Sequence, residues 1–412
     1  MFRMKLIRSY VPKFSRRLPY SSSSQKTVEM IMREKLTKGL EDKKAKRICT
    51  GLNNDEMMNN QKLNVAVIGS GSWGSTVVRI IGKNVLQHSC FHDIVKLYVH
   101  ESIVNGRKLS HIINNDRENI KYLPGYKFPE NIRAVPDVIE AAVESDILVF
   151  VVPHQYIYET CKPLIGKVKP QTFGISLIKG VSVKTDGTLQ LISDLIKDML
   201  GINMSVLMGA NLAKEIAAEQ ISETTVGYTN EENGILLKKL FHTEYFHITL
   251  CSDVPTVELC GALKNIVACG VGFADGLKCG ENTKAAVIRL GLLEMIRFIK
   301  YFYPSSKLCT FLESCGVADL VTSCYGGRNR KVAEALVNSG KTIEELEEEL
   351  LQGQKLQGPQ TAETVMTVLK HQGLENLFPL FTKIHKICAG ESEPYELINT
   401  VQKYPQTMAY AI

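Results

Sequence analysis

The turn Gly69-Ser70-Gly71-Ser72-Trp73-Gly74 constrains the fold of this chain more than any other feature. Before it, Leu63-Asn64-Val65-Ala66-Val67-Ile68 is a short apolar, β-branched run that reads as a buried strand. After it, Val77, Val78, Ile81 and Val85 recur at helical spacing. Glycines spaced G-x-G-x-x-G permit a tight turn, let a ligand come close to the backbone, and let a helix pack against its strand. The alternation continues down the chain. Residues 95–100, 147–152, 174–177 and 206–208 read as further strands, and Leu189, Ile192, Leu195, Ile196 and Met199 as a helix. Strands alternating with helices predict an α/β fold, a Rossmann-type doubly wound and mainly parallel sheet.

Near residue 253 the pattern changes to long helical periods with almost no strand candidates. Thr342-x-x-Glu345 is a capping box that opens a helix through Leu351, with Gly353 as its stop. The acidic run from Glu344 to Glu349 reads as that helix's solvated face. The chain thus divides into an extension and linker over 1–61, a sheet domain over 62–252 and an all-helical second domain over 253–412.

A glycine turn between strand and helix, with a second strand to follow, suits a dinucleotide: the helix N-terminus favours a pyrophosphate. The second strand ends at His100-Glu101, and a carboxylate there can accept a hydrogen bond from the adenosine ribose, favouring NAD over NADP. Glu101 lies 27 residues after Gly74, against a usual spacing of about 20. An insertion over 83–93 accounts for the excess.

Hydrophobic residues make up 44% of the 412 and charged residues 22%, which fits a globular protein. No uninterrupted apolar run reaches the ~18 residues of a membrane span, so no membrane association is expected. Residues 1–60 carry 14 Lys or Arg and 6 Asp or Glu, a net of +8 against +6 for the whole chain, so the remainder is slightly acidic. A basic nucleic-acid-binding face on the folded part is therefore not expected. Residues 1–28 contain Arg3, Lys5, Arg8, Lys13, Arg16, Arg17 and Lys26, no acid, and a run of four serines. That is the composition of a mitochondrial transit peptide, or of a plain basic tail. The 11 cysteines are scattered without a C-x-x-C pair, and His88 with His92 lacks a third clustered ligand. Neither a disulfide framework nor a metal site is expected.

Three segments place polar side chains where packing alone would not. Lys179 follows the apolar strand 174–177, at the strand end that faces the ligand crevice of such a sheet. Lys264 sits in Cys260-Gly261-Ala262-Leu263-Lys264-Asn265-Ile266-Val267, enclosed by small and apolar residues. Desolvation there lowers an ammonium pKa and suits it to proton transfer, although a lysine whose head reaches water has the same local sequence. Asp319 precedes Ser323-Cys324-Tyr325-Gly326-Gly327-Arg328-Asn329, in which a glycine turn meets a helix N-terminus. Guanidinium, amide, hydroxyl and free backbone N–H groups together suit a small phosphate.

With these segments on the page, the sequence resembles the eukaryotic cytosolic NAD-dependent glycerol-3-phosphate dehydrogenases over about residues 62–405. The motifs are GSGSWGS (69–75), KYLPG (121–125), VVPHQ (151–155), GISLIKG (174–180), SVLMGAN (205–211), CGALKN (260–265), NTKAAVIRLGL (282–292), FLESCGVADL (311–320), CYGGRNRKVAEA (324–335) and GQKLQGP (353–359). The resemblance implies reversible hydride transfer between glycerol 3-phosphate and dihydroxyacetone phosphate by a cytoplasmic homodimer. It makes Lys264 the proton donor and acceptor, with Lys179 and Asp319 completing the electrostatic setting. It places Lys179, Asn211, Asn265, Ser323, Arg328 and Asn329 on the substrate. NAD would lie on Gly69, Ser70, Gly71, Ser72, Trp73 and Gly74, with His100, Glu101, Tyr156, Ala213, Arg328, Lys355 and Gln357. His100 and Tyr156 stand where the family has Phe, and Ser323 replaces a common Thr. Two other functions remain open: a 3-hydroxy-acid dehydrogenase of the same plan, and a non-catalytic NADH sensor.

Overall fold

A computed structural model describes residues 62–351 and 353–405. The basic segment 1–28 and the linker to residue 61 lie outside the described residues.

Eight strands form one sheet: β1 (Leu63–Ile68), β2 (Phe91–Tyr98), β3 (Ile132–Val135), β4 (Ile147–Phe150), β5 (Phe173–Ser176), β6 (Asn203–Gly209), β7 (Ser222–Gly227) and β8 (Phe246–Cys251). Their spatial order is β3-β2-β1-β4-β5-β6-β7-β8, parallel throughout except for the β6–β7 pair. The order reverses between β1 and β4, and in sheets of this kind the ligand crevice lies at that reversal, beyond the carboxyl ends of the strands. Strand β4 is buried along its whole length, as expected of a strand covered on both faces.

The helix after the glycine turn, α1 (Ser72–Val85), runs to Val85, and β2 begins at Phe91 rather than at residue 95. The expected insertion over 83–93 is therefore mostly regular structure: a longer helix, a short turn and an earlier strand start. Because β2 ends at Tyr98, His100 and Glu101 stand in the loop beyond it. A second boundary moves too. Leu189 belongs to a small antiparallel hairpin, Val181–Val183 with Leu189–Leu191, and the following helix starts at Ile192. The strand-like alternation of Leu189 with Leu191 wins over the helical spacing of Leu189 with Ile192.

From residue 254 onward the described residues are helical. The short helix α2 (Ala213–Ala217) comes earlier, after β6, and nearly every residue of the long helix α3 (Val254–Gly276) is buried. Around it pack α4 (Glu281–Phe302), α5 (Asp319–Gly326), α6 (Arg328–Ser339), α8 (Gln357–Gln372) and α9 (Pro379–Cys388), while α7 (Ile343–Leu351) leans on α6. By length and hydropathy α3 could cross a membrane, but its apolar stretch is entirely enclosed by protein, so it is the core of this part of the molecule. Asp253 caps it: one carboxylate oxygen accepts from the Thr256 amide, the other from the Lys307 amide and the Thr310 hydroxyl. A Cβ on Gly272 would stand 2.2 Å from the Arg330 carbonyl oxygen, so only glycine allows α3 and α6 to cross this closely. That crossing sets the spacing between Lys264 and Asn265 on one helix and Asn329 on the other.

The capping box forms as expected. The Thr342 hydroxyl accepts from the Glu345 amide at 3.2 Å, and Glu345 accepts from the Thr342 amide at 2.9 Å. The acidic run is not wholly solvated, however. Glu347 is 4% exposed and accepts from the Leu356 amide at 2.8 Å and from Lys355 Nζ at 2.7 Å. It shares the inward face with Leu346 and Ile343, and its charge is taken up by the loop that follows.

Candidate active site

The cofactor side of the site hangs from strand ends and the first turns of helices, and Lys264 and Asn265 reach it from the middle of α3. At the end of β1, Gly69 has φ +123°, a conformation L side chains rarely adopt. A Cβ on Gly74 would stand 2.1 Å from the Gly69 carbonyl oxygen, so the third glycine lets α1 press on the turn. Gly71 differs: a Cβ there would meet nothing within 4 Å. The second glycine is thus not required by the protein's own packing and leaves open space against the backbone. No side chain caps α1, so its first N–H groups face that space uncapped. This is a fitting cradle for the pyrophosphate of a dinucleotide.

Neighbouring segments hold the turn in place. Asn119, fully buried, donates from Nδ2 to the Ser70 carbonyl at 2.7 Å and to the Ser75 hydroxyl at 2.9 Å. Ser72 donates to the Tyr122 carbonyl at 2.8 Å. Thr76 donates to the Ala213 carbonyl at 3.0 Å, which brings the start of α2 beside α1. Trp73 meets the Phe246 ring edge-on, with centroids 6.1 Å apart, so its indole packs on the sheet. Glu101 is engaged within the chain: it accepts from the Ser110 hydroxyl at 2.5 Å and from the Ser110 and Ser102 amides. These bonds hold its carboxyl below the usual range against the opposing effect of burial. His100 is exposed, as is Tyr156 on the turn after β4.

Beyond β5 and β6 the polar cluster closes. Asp319 opens α5 directly after a wide helical turn, Ser314–Ala318, at whose centre a Cβ on Gly316 would stand 2.1 Å from the Phe311 carbonyl. Its carboxylate is almost completely buried and bridges two lysines, Lys264 Nζ at 2.5 Å on one oxygen and Lys179 Nζ at 2.8 Å on the other. Lys264 also donates to the Ser323 hydroxyl at 2.5 Å, and Lys179 to the Gly209 carbonyl at 3.0 Å. Burial pushes the Lys264 ammonium down to about 7; Asp319 opposes that and Lys179 adds to it. The snorkelling arrangement is excluded, since Lys264 is 5% exposed.

A second polar chain lies beside the first. Asn329 donates to Asn265 Oδ1 at 3.0 Å and accepts from the Gly358 amide at 2.9 Å. Arg328 is exposed and donates to Gln354 Oε1 at 2.9 Å. At the end of β6, Asn211 donates to the Thr224 hydroxyl at 2.9 Å, while its Oδ1 is buried with no hydrogen-bond partner among the described residues. Lys355 turns to Glu347, and Gln357, the first residue of α8, meets His154.

The structure therefore joins Lys179, Lys264, Asp319 and Ser323 in one network and Asn265 with Asn329 in another. It sets Gly69–Gly74 with Ala213 at the neighbouring strand ends. Sequence reasoning missed Asn119, His154 and Glu347 as supports. His154 lies in a motif quoted for the resemblance but carried no role. Glu347 sits in step with Ile343 and Leu346, a spacing that marks the inward face. Asn119 has no local signal.

Residues 64–234 match the family model of the NAD-dependent glycerol-3-phosphate dehydrogenase N-terminus, and residues 253–399 that of its C-terminus. The chain is 56% identical over 351 residues to the cytoplasmic glycerol-3-phosphate dehydrogenase (NAD+) of Drosophila melanogaster, covering 85% of this chain and 97% of that protein. Among solved structures, glycerol-3-phosphate dehydrogenase from Saccharomyces cerevisiae matches with a TM-score of 0.77 at 41% identity, over 83% of this chain and 100% of that one. DsGPDH of Dunaliella salina matches with a TM-score of 0.80 at 44% identity; the match covers 84% of this chain and 61% of that longer one.

Proposed function

The chain belongs to the NAD-dependent glycerol-3-phosphate dehydrogenase family, and from that premise we propose how its own residues carry the interconversion of glycerol 3-phosphate and dihydroxyacetone phosphate. The observation that carries the reading is the buried Lys264–Asp319–Lys179 bridge at the carboxyl ends of β5 and β6, in the same crevice as the uncapped glycine turn. NAD, when bound, supplies the carrier for the hydride that leaves or enters C2 of the substrate.

Lys264 takes the proton of the C2 hydroxyl during oxidation and returns it to the carbonyl oxygen during reduction. A pKa near neutrality serves both directions. Asp319 holds the Lys264 ammonium in place; while Lys264 is protonated, the cluster with Lys179 carries one positive charge in excess, which favours an anionic substrate. Asn265, Ser323, Asn329 and the unpartnered Asn211 Oδ1 offer hydrogen bonds to the substrate, and Arg328 a fork for its phosphate. Gly69, Ser70, Gly71, Ser72, Trp73 and Gly74 cradle the cofactor, with His100, Glu101 and Tyr156 toward the adenosine and Ala213, Lys355 and Gln357 along its remaining length. We assign 62–252 to cofactor binding, 253–412 to substrate binding and 1–61 to an extension outside both. By the fly relative's name we place the protein in the cytoplasm, and by family resemblance we take it as a homodimer.

The test is loss of NADH absorbance with dihydroxyacetone phosphate and, separately, with unphosphorylated dihydroxyacetone. Rapid turnover with the phosphorylated ketone alone is expected, and Lys264→Ala is expected to lose most of it while still binding NADH. Binding of NADH without turnover on either ketone would favour a sensor. Turnover on a 3-hydroxy acid instead would reassign the substrate.

A further inference from the structure

We propose that His154 is a positioning residue that clasps the start of α8 to the sheet and so seats the segment 353–358 over the cofactor crevice. The inference rests on the family reading for the cofactor but on this structure for the clasp.

His154 follows β4 across Val151-Val152-Pro153, at the strand end beside the topological reversal. Its Nδ1 lies 2.9 Å from Gln357 Oε1. An amide oxygen facing that nitrogen makes Nδ1 the protonated one, and the ring donates. The other side of the ring is fixed as well. A Cβ on Gly180 would stand 3.0–3.1 Å from Cγ, Cβ and Nδ1 of His154, so the imidazole lies against the backbone of the residue after Lys179. One ring thereby touches the Lys179 loop and the first residue of α8.

The first turn of α8 is held at two points. Gln357 is held by His154 on the sheet side; Gly358 is held by Asn329 on the helical side, through its amide. Gly358 has no freedom there, since a Cβ would stand 2.5 Å from Cys269 Sγ. The helical-side hold is therefore built into packing; on the sheet side the body of α8 packs against the hairpin strand Val181–Val183, and its first residue is tied by one side-chain hydrogen bond, to His154. Residues 353–356 lead into this turn and carry Gln354, bound to Arg328, and Lys355, bound to Glu347. Without the clasp, α8 keeps its packing, while Gln357 and the segment 353–356 ahead of it lose their tie to the end of β4.

The experiment uses the full chain, with NADH as the probe. Dissociation constants come from NADH fluorescence, and hydrogen exchange of the peptide spanning 353–358 is followed with and without NADH. His154→Ala is expected to bind NADH about three- to tenfold more weakly, the usual worth of one partly buried hydrogen bond. Exchange over 353–358 should rise while that of α3 stays as in the wild type. His154→Asn, whose amide N–H can stand in for Nδ1–H, is expected to recover part of both effects. Unchanged NADH affinity and unchanged exchange in His154→Ala would overturn the proposal. So would faster exchange throughout residues 62–405, which would mean general destabilisation, or an Asn variant no better than Ala. Wild-type turnover measured alongside keeps the two readings apart: an inactive wild type would undo the proposed reaction, while the exchange result would still decide the clasp.

Discussion

Asp319 and Lys179 act on the Lys264 ammonium in opposite senses, and the pH dependence of turnover should register both. Asp319 lies 2.5 Å from Lys264 Nζ and raises its affinity for the proton; Lys179, on the other oxygen of the same carboxylate, lowers it. Asp319→Asn removes the anion. Deleting one partner of a buried ion pair costs about 3–5 kcal/mol. At about 1.4 kcal/mol per pKa unit, a loss of that size displaces the pKa downward from about 7 by about two to four units. Lys179→Met removes a like charge that reaches Lys264 only across the carboxylate, and should raise the pKa by about one unit. Reduction needs Lys264 protonated, so its kcat/KM falls as pH rises through the pKa. Oxidation needs the neutral amine, so its kcat/KM falls as pH drops through the same value. The quantity to measure is kcat/KM against pH in both directions, which reports the free enzyme. The turning point should move toward acid in Asp319→Asn and toward alkali in Lys179→Met, and at neutral pH Asp319→Asn should lose about 100-fold or more in reduction. Thermal melts establish that both variants are folded. If the two turning points move the same way, or neither moves in folded but slowed variants, Lys264 does not carry the proton.

The glycine turn separates folding from binding. Gly71→Ala should melt as the wild type does and bind NADH poorly, because its methyl enters open space. Gly74→Ala should fold poorly, because its methyl would collide with the Gly69 carbonyl. Retained NADH affinity in Gly71→Ala would mean the cofactor approaches elsewhere. Glu347→Ala leaves the Leu356 amide and Lys355 without their partner, at about 1–3 kcal/mol. It should raise KM for NADH severalfold, and Glu347→Gln, which keeps an acceptor for the amide, should recover part of that. An unchanged KM would sink the role given to this anchor.

What the sequence revealed and what it hid follow from how local each signal is. β1, its glycine turn and α1 were legible because one stretch carries period, breaker and helix together. Lys264 was legible because a lysine among Ala, Leu, Ile and Val has no bland place to go. β3, β7 and β8 carry no clear strand signal: β3 is a four-residue run broken by Arg133, while Ser222–Gly227 and Phe246–Cys251 mix polar side chains with apolar ones and draw their stability from neighbouring strands. Glu347 was misjudged with its run because charge outweighed period; its position in step with Ile343 and Leu346 already pointed inward. The bridging of Lys179 and Lys264 by Asp319 has no signal in the residue pattern; only the family resemblance groups the three. Lys179 and Asp319 are 140 residues apart, and they meet because the wide turn Ser314–Ala318, which leads into α5, packs against β6 beside β5.

Placing Lys264 and Asn265 in the middle of α3 has a consequence for how this protein fails. The helix that would hold the proton-transfer group is also the one against which α4, α5, α6, α8 and α9 are stacked. While the helical part is intact the lysine stays in place, because its stem is buried and its ammonium is tied to Asp319 and Ser323. Heating should therefore extinguish activity and ordered structure along a single curve. Stored or stressed preparations should be mixtures of fully working and wholly collapsed molecules, with few of intermediate competence.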